Sequence, residues 1–354
     1  MTDEPDGINW IKISDATASG KYIYKTKERI KPSGVSRSRL VKPGDFLLSN
    51  SMSFGRPYIM QTCGCIHDGW LVLSNYDKNF DQGFLYHLLG SPVVFEQFDR
   101  LAAGSTVRNL NIELASRVVL PVPPLPEQHR IVAILDEAFD SIATAKANAE
   151  KNLQNARTLF ASHVQSVFSR TEAGWTSKTL DQISTNLDSK RVPITKSDRK
   201  AGEYRYYGAS GVVDYVADYI FDGDALLVSE DGANLLARST PIAFSVSGKY
   251  WVNNHAHILQ FKNMATQRCV EFYLESIPLD AYITGAAQPK LNQKALNSIP
   301  IAIPESVGEQ QNVVIEIESL VEKTDRLEAI YQQKITALSN LKKSLLHQAF
   351  TGQL

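Results

Sequence analysis

Cationic side chains are the densest chemical feature of this chain. Lys21, Lys25, Lys27, Arg29, Lys31, Arg37, Arg39 and Lys42 crowd one segment, with only Glu28 against them. A second set, Lys190, Arg191, Lys196, Arg199, Lys200 and Arg205, lies beside Tyr204, Tyr206 and Tyr207 at glycine-rich turns. Lysine and arginine at this density can neutralise a row of phosphates. The first set reads equally as a solvated basic face, and the tyrosines as half-buried core. More specific candidates lie in loops that occur twice in the chain. These are Ser53, Arg56, Arg108 and Asn109 in one copy, and Glu230, Asn234, Arg238, Gln288, Lys290 and Asn292 in the other. Arginine and lysine match guanine edges, asparagine and glutamine match adenine, and glutamate accepts from cytosine. Gly104 and Gly285 in these loops either admit a close phosphate or hold a turn.

Metal and catalytic chemistry find weaker support. Cys63, Cys65 and His67 alternate along one stretch and His255 and His257 along another, but neither stretch has a second ligand pair at zinc-finger spacing. Structural cysteines and strand histidines are the expectation. Asp45, Asp224, Glu230 and Asp231 have the chemistry to hold magnesium, yet Asp45 and Asp224 belong to Gly-Asp turns leading into strands, and a turn role suffices for them. No Gly-x-x-x-x-Gly-Lys-Ser/Thr loop, Gly-x-Gly-x-x-Gly turn or Asn/Asp-Pro-Pro-Tyr/Phe sequence occurs. A nuclease or methyltransferase acting on its own is therefore the least favoured reading.

Bulk properties exclude further classes. The chain has 354 residues, 43% of them hydrophobic and 21% charged, and carries a net charge of −1, so nucleic-acid affinity has to come from local patches. No apolar run reaches the roughly 18 residues that a membrane span needs. The acidic opening Met1-Thr2-Asp3-Glu4-Pro5-Asp6 lacks a signal-peptide pattern, and three cysteines do not make a disulfide framework. A cytoplasmic protein without membrane association is expected.

An internal repeat organises the chain. A shift of about 182 residues pairs Glu127-Gln128 with Glu309-Gln310, Leu135 with Ile317 and Phe168 with Phe350, without a gap. Upstream, Pro43–Leu48 pairs with Asp222–Leu227, and Leu110-Asn111 with Leu291-Asn292. Each half is thus a mixed region of short strands and helices followed by one long helix. Strands are expected at 45–49, 69–73, 225–229 and 257–261, and short helices at 84–89 and 268–274. The long helices show a heptad seam: Ile131, Leu135, Ala138, Ile142 and onward to Val167, then Val313, Ile317, Leu320, Thr324, Leu327 and onward through Leu341 to Ala349. Pro126 with Glu127, and Ser306-Val307-Gly308-Glu309, are helix-start signals. At about 40 residues each, seams of this length need cover, and one copy packed on the other as a coiled coil provides it.

The sequence resembles the specificity subunit of type I restriction–modification systems over nearly its whole length. The carriers are Leu120-Pro121-Val122-Pro123-Pro124-Leu125-Pro126-Glu127-Gln128, then Ile301-Ala302-Ile303-Pro304 through Glu309-Gln310, and the ending Leu345-Leu346-His347-Gln348-Ala349-Phe350-Thr351-Gly352-Gln353-Leu354. The resemblance implies an α+β architecture. Two target-recognition domains (1–122 and 171–304) each read half of a split site in double-stranded DNA, and two helices (123–170 and 305–354) form an antiparallel coiled coil. It also implies a non-catalytic subunit that docks methyltransferase subunits, two in number, and restriction/translocase subunits. S-adenosylmethionine, ATP and magnesium would then belong to those partners and not to this chain. A coiled-coil scaffold without DNA specificity remains the alternative. One departure stands out: the stretch between Trp175 and Gly202 has no counterpart ahead of Gly7-Ile8-Asn9-Trp10. The first domain reads as shortened, through a misplaced start, a truncation, or a strand supplied from elsewhere.

Overall fold

The structure is a computed structural model that describes residues 1–50, 55–76, 78–102, 110–170, 174–285 and 287–354. It divides into two compact units, one of Met1–Glu150 with Gln332–Leu354, the other of Lys151–Tyr331. The divisions fall inside two 44-residue helices, Leu125–Phe168 and Val307–Phe350. Each unit therefore contains the start of one long helix and the end of the other. Among the described residues no helix is long and apolar enough to cross a membrane.

Among the described residues the first unit has eight strands: β1 (Ile8–Ile11), β2 (Tyr22–Ile23), β3 (Glu28–Ile30), β4 (Arg39–Val41), β5 (Phe46–Ser49), β6 (Pro57–Met60), β7 (Gly64–Ile66) and β8 (Trp70–Leu73). They form two sheets, in the orders β3-β1-β7-β4 and β2-β6-β5-β8. The described residues of the second unit form ten: β9 (Trp175–Thr179), β10 (Thr185–Asn186), β11 (Ala201–Gly208), β12 (Gly211–Val216), β13 (Phe221–Asp222), β14 (Ala225–Ser229), β15 (Ala243–Val246), β16 (Lys249–Val252), β17 (Ala256–Gln260) and β18 (Pro300–Pro304). Their orders are β12-β11-β16-β13, β10-β17-β14-β15 and β18-β9. The repeat is visible in the pairing: β1 runs parallel to β7 as β11 does to β16, and β4 and β13 close those sheets antiparallel.

Short, uninterrupted apolar runs mark the central strands because both of their faces are covered. Phe46 and Leu48 of β5 enter a core with Phe84, Leu88 and Ile131, whereas Leu47 between them enters a second core with Ile11 and Tyr58. In β14, Leu226 and Val228 face one core and Leu227 the other. The strand period of two thus splits each unit into two apolar layers. Burying a leucine of this kind contributes about 1.5–3 kcal/mol. Gly44 and Gly223 lead into these strands at φ +93° and +122°, a conformation that favours glycine in both copies. The carboxylate of Asp45 accepts from the Lys42 amide (2.9 Å) and the Ser74 hydroxyl (2.7 Å), a turn-holding role.

The long helices pack antiparallel within each unit. In the first, Ile131 and Leu135 near one helix start share a core with Leu346, Ala349 and Phe350 near the other helix end. In the second, Val164, Val167 and Phe168 meet Val313, Val314 and Ile317. Arg157 pairs with Glu328 at 2.7 Å and His163 with Glu316 at 3.0 Å. Along the first helix the expected seam is buried or half-buried throughout, with Ile142 and Ala149 8% and 2% exposed, whereas Leu327 and Leu341 of the second are 43% and 47% exposed. A straight helix drifts about 20° per heptad from a strict seven-residue repeat, which turns part of a long stripe out of the contact. As expected, Ser306 starts its helix by accepting the Glu309 amide at 3.1 Å.

Candidate nucleic-acid interface

In the first unit, Lys25 and Lys27 lie in the turn from β2 to β3, Arg37 ends a tight turn (Pro32–Arg37) and Arg39 begins β4; all four are exposed. Arg37 and Arg39 flank an open groove of about 640 Å³ with Trp10, His67 and Trp70. Among the described residues no carboxylate pairs with either guanidinium, leaving both charges available to an external anion. Arg56, also exposed, holds its guanidinium 5.4 Å from the Tyr58 ring centroid. Ser53, Arg108, Asn109 and Gly104 fall outside the described residues.

In the second unit, Lys190 is exposed at the end of the short turn Asp188–Lys190, and Arg205 is exposed on β11, its guanidinium 3.5 Å from the Tyr207 hydroxyl. Gln288 and Lys290 stand on a loop closed by two backbone bonds between Thr284 and Lys290 (2.9 and 2.8 Å). Gly285 makes this turn at φ +84°, and a Cβ there would sit 2.5 Å from the Gln288 carbonyl oxygen. That settles Gly285 as a turn residue.

Six sequence candidates are instead committed inside the fold. Tyr206 is 1% exposed, its hydroxyl bonded to Ile194 and its ring under Arg199. Asn234 holds its own loop by accepting from Thr240 N–H (3.1 Å) and donating to Thr240 O (2.9 Å). Arg238 donates to the carbonyls of Leu274 (3.2 Å) and Ile277 (2.9 Å), satisfying a helix C-terminus. Asn292 caps the helix Gln293–Asn297 through the Ala295 amide at 2.9 Å, as Asn111 caps Ile112–Ala115 through Leu114 at 2.8 Å. Arg191 donates to Glu230 and to the Ala256 carbonyl, both at 2.7 Å. Glu230 also takes Lys290 at 3.1 Å, anchoring the loop that carries Gln288.

Glu230 and Arg191 belong to a network that sequence reading did not single out. His257, 1% exposed, places Nδ1 2.5 Å from Asp188 and donates from Nε2 to the Leu291 carbonyl at 2.8 Å. Burial works against the Asp188 carboxylate, but hydrogen bonds from His257 and the Ile258 amide, with the nearby Arg191 charge, hold it below the ordinary value. Burial likewise opposes the Glu230 carboxylate, and Arg191, His257 and Lys290 outweigh it. The ligand atoms of Asp188, Glu230 and His257 lie within 4.8 Å of one another, close enough for a cation. The donor set does not fit one: both ring nitrogens face oxygen acceptors, and Arg191 and Lys290 already supply the positive charge. Of the earlier metal candidates, Cys65 is buried and Cys63 exposed, His67 accepts the Gly69 amide (2.8 Å), and His255 pairs with Asp231 (2.9 Å). Among the described residues no metal-sized group includes them.

The Glu-Gln pairs that began the long helices in the sequence have a defined role. Gln128, 0% exposed, accepts the Asp81 amide and donates to the Asn79 and Pro123 carbonyls, each at 2.8 Å. Gln310 accepts the Thr266 hydroxyl at 2.6 Å and donates to Pro304 at 2.7 Å. Each glutamine ties a long helix to the module beside it.

Residues 3–154 and 172–337 match the family described as type I restriction modification DNA specificity domain. The chain belongs to this family. Similar proteins include a putative type I restriction enzyme specificity subunit of Haemophilus influenzae, 32% identical over 152 residues that make up 43% of this chain and 37% of that protein. The EcoprrI specificity subunit of Escherichia coli is 23% identical over 95% of this chain and 84% of its own length. The fold is similar to a chain from a type I R-M system (TM-score 0.83, 15% identity, 98% of this chain and 92% of that one) and to the HsdS subunit of Thermoanaerobacter tengcongensis (TM-score 0.63, 17% identity, 98% and 91%). Each matched segment takes in one duplicated module together with most of the long helix that follows it.

Proposed function

We propose that this chain is the DNA-specificity subunit of a type I restriction–modification enzyme, with each module reading one half of a bipartite site in double-stranded DNA. The carrying observation is the duplication of a module that presents cations with no acid partner among the described residues, Arg37 and Arg39 in one unit and Lys190 in the other, within a chain of the specificity-domain family. Lys25, Lys27, Arg56, Arg205, Gln288 and Lys290 extend these surfaces. Cations position the protein on phosphates, while Gln288 and the arginines have the donor chemistry to read base edges. The long helices are the docking elements for two methyltransferase subunits, to which restriction/translocase subunits add. S-adenosylmethionine, ATP and magnesium act in those partners, in the cytoplasm. The test is exchange of Gly174–Ile299 for the matching module of a relative, followed by methylome sequencing of cells that carry the partners. One half of the recognised site changes and the other stays. A change in both halves, or methylation without sequence preference, overturns the reading.

A further inference from the structure

Two histidines flank the start of β17, and the fold treats them in opposite ways. Their spacing suits one face of a strand, but His255 sits in the turn ahead of β17. His257 is buried, with both ring nitrogens bonded inside the module. The His255 ring is 48% exposed and only one of its nitrogens is held: Nδ1 lies 3.0 and 2.9 Å from the two carboxylate oxygens of Asp231. Among the described residues Nε2 has no partner. Asp231 is itself fixed, since it forms an antiparallel bridge with Lys290 and the Gly232 amide beside it donates to the Pro289 carbonyl at 3.0 Å. The His255 backbone is held as firmly, its amide donating to the Asn253 side chain (2.8 Å) and its carbonyl accepting the Glu230 amide (2.9 Å). The imidazole is thus an exposed ring in a set orientation beside the loop that carries Gln288 and Lys290. The first unit repeats this frame without the ring. Ser49 lies opposite Trp70 as Ser229 lies opposite Ala256, so Gly69 occupies the place of His255. The Gly69 carbonyl accepts the Asn50 amide (3.2 Å), and its own amide donates to a side chain two residues earlier, that of His67 (2.8 Å). A Cβ at Gly69 would lie 2.3 Å from the His67 ring, which leaves no room for a side chain while that ring keeps its place. The backbone frame is what both modules need; the His255–Asp231 pair is what one of them adds.

We propose that His255 is a base-reading residue of the second module, with Asp231 its positioning residue, and that its target is the exocyclic amino group of an adenine or a cytosine in the major groove. Asp231 accepts from Nδ1–H, which leaves Nε2 of the neutral ring as an acceptor. In that groove the base edges donate through adenine N6 and cytosine N4 alone. A ring already held in one orientation loses little freedom on contact, which suits it to discrimination at a single base. The inference rests on the reading of this chain as a DNA-specificity subunit and names one contact that such reading requires.

The test uses the complete complex with its methyltransferase subunits. Methylome sequencing with the wild-type chain gives the bipartite site, and exchange of the second module shows which half that module reads. His255→Ala relaxes one base pair of that half, leaves the other half unchanged, and keeps the thermal midpoint within about 2 °C because the ring is exposed. Asp231→Ala gives the same relaxation, and Asp231→Asn, whose side-chain oxygen still accepts from Nδ1, restores the preference. Binding is then measured by fluorescence anisotropy on duplexes in which each adenine of that half is replaced in turn by purine and each cytosine by 2-pyrimidinone, bases that lack the amino group. One replacement weakens the wild-type complex about fivefold and the His255→Ala complex less than about twofold, and its identity tells adenine from cytosine. An unchanged motif in a folded, active His255→Ala complex, or an equal loss in variant and wild type at every replaced base, overturns the inference and leaves the specificity reading standing. A wild-type complex that methylates without sequence preference overturns both.

Discussion

Asp188→Ala is the sharpest test of how the second unit holds its exposed loop. The Asp188 side chain is 6% exposed and accepts from His257 Nδ1 (2.5 Å), the Ile258 amide (2.9 Å) and the Asn186 amide (3.2 Å). Removing one member of a buried charged pair costs about 3–5 kcal/mol. His257 keeps its bond to the Leu291 carbonyl, so about 3 kcal/mol is expected, with the orphaned Ile258 amide carrying most of the loss. For a module of this size that lowers Tm by about 6–12 °C. Asp188→Asn keeps an acceptor for Ile258 and should lose only about 1–2 kcal/mol. The pH dependence has a definite sign. Because the folded-state value of Asp188 lies below its ordinary 3.8, its contribution is complete above that value and is lost as pH falls toward the folded one. Glu230, lowered from 4.5, adds to the same acid limb. Urea unfolding read by amide exchange in β14 and β17 isolates this unit. A loss under about 1 kcal/mol in Asp188→Ala, equality of the alanine and asparagine variants, or the same acid limb in Asp188→Ala as in wild type would refute the assigned network.

Three further outcomes follow from the geometry. Gln128→Ala removes three hydrogen bonds from a fully buried amide and should destabilise the first unit by about 2 kcal/mol, seen as faster exchange in Gln82–Leu89; a change under about 0.5 kcal/mol counts against the clamp. Arg37→Ala with Arg39→Ala, at exposed and unpaired positions, should leave stability within about 0.5 kcal/mol yet flatten the salt dependence of DNA binding by about one unit of slope per side chain; an unchanged slope removes these residues from the interface. Gly285→Ala drives a methyl group toward the Gln288 carbonyl and should raise amide exchange at Thr284 and Lys290 about tenfold while the β14–β17 ladder keeps its protection.

Local signals and the repeat made the scaffold legible in the sequence. Phe46-Leu47-Leu48 and Ala225-Leu226-Leu227-Val228 read as strands because an apolar run bounded by Gly-Asp has no other short solution, and each is a central strand buried on both faces. The helix starts were equally visible at Pro126 and Ser306. Two features were not. The Asp188–His257 pair is separated by 69 residues, and no local pattern distinguishes an aspartate that will meet a histidine across a sheet from one that stays in solvent. The exposure of Leu327 and Leu341 within the helix seam escaped for a different reason: heptad spacing states which residues share a stripe, but coverage depends on what faces each of them.

The repeat itself explains why the site candidates divided as they did. A feature present at matching positions in both modules is needed by both, and what both need is the fold: Asn111 and Asn292 are helix caps, Gly44 and Gly223 are turn glycines, and Gln128 and Gln310 are helix clamps. Two modules that read different half-sites must differ in the side chains that do the reading. Candidates drawn from repeated loops were therefore biased toward structural roles, and Asn292 shows the bias directly. Lys25, Arg37 and Arg39 in one unit, and Lys190 and Arg205 in the other, are exposed residues for which the repeat pairing drew no match. The difference between the modules, more than their likeness, is where recognition is to be sought.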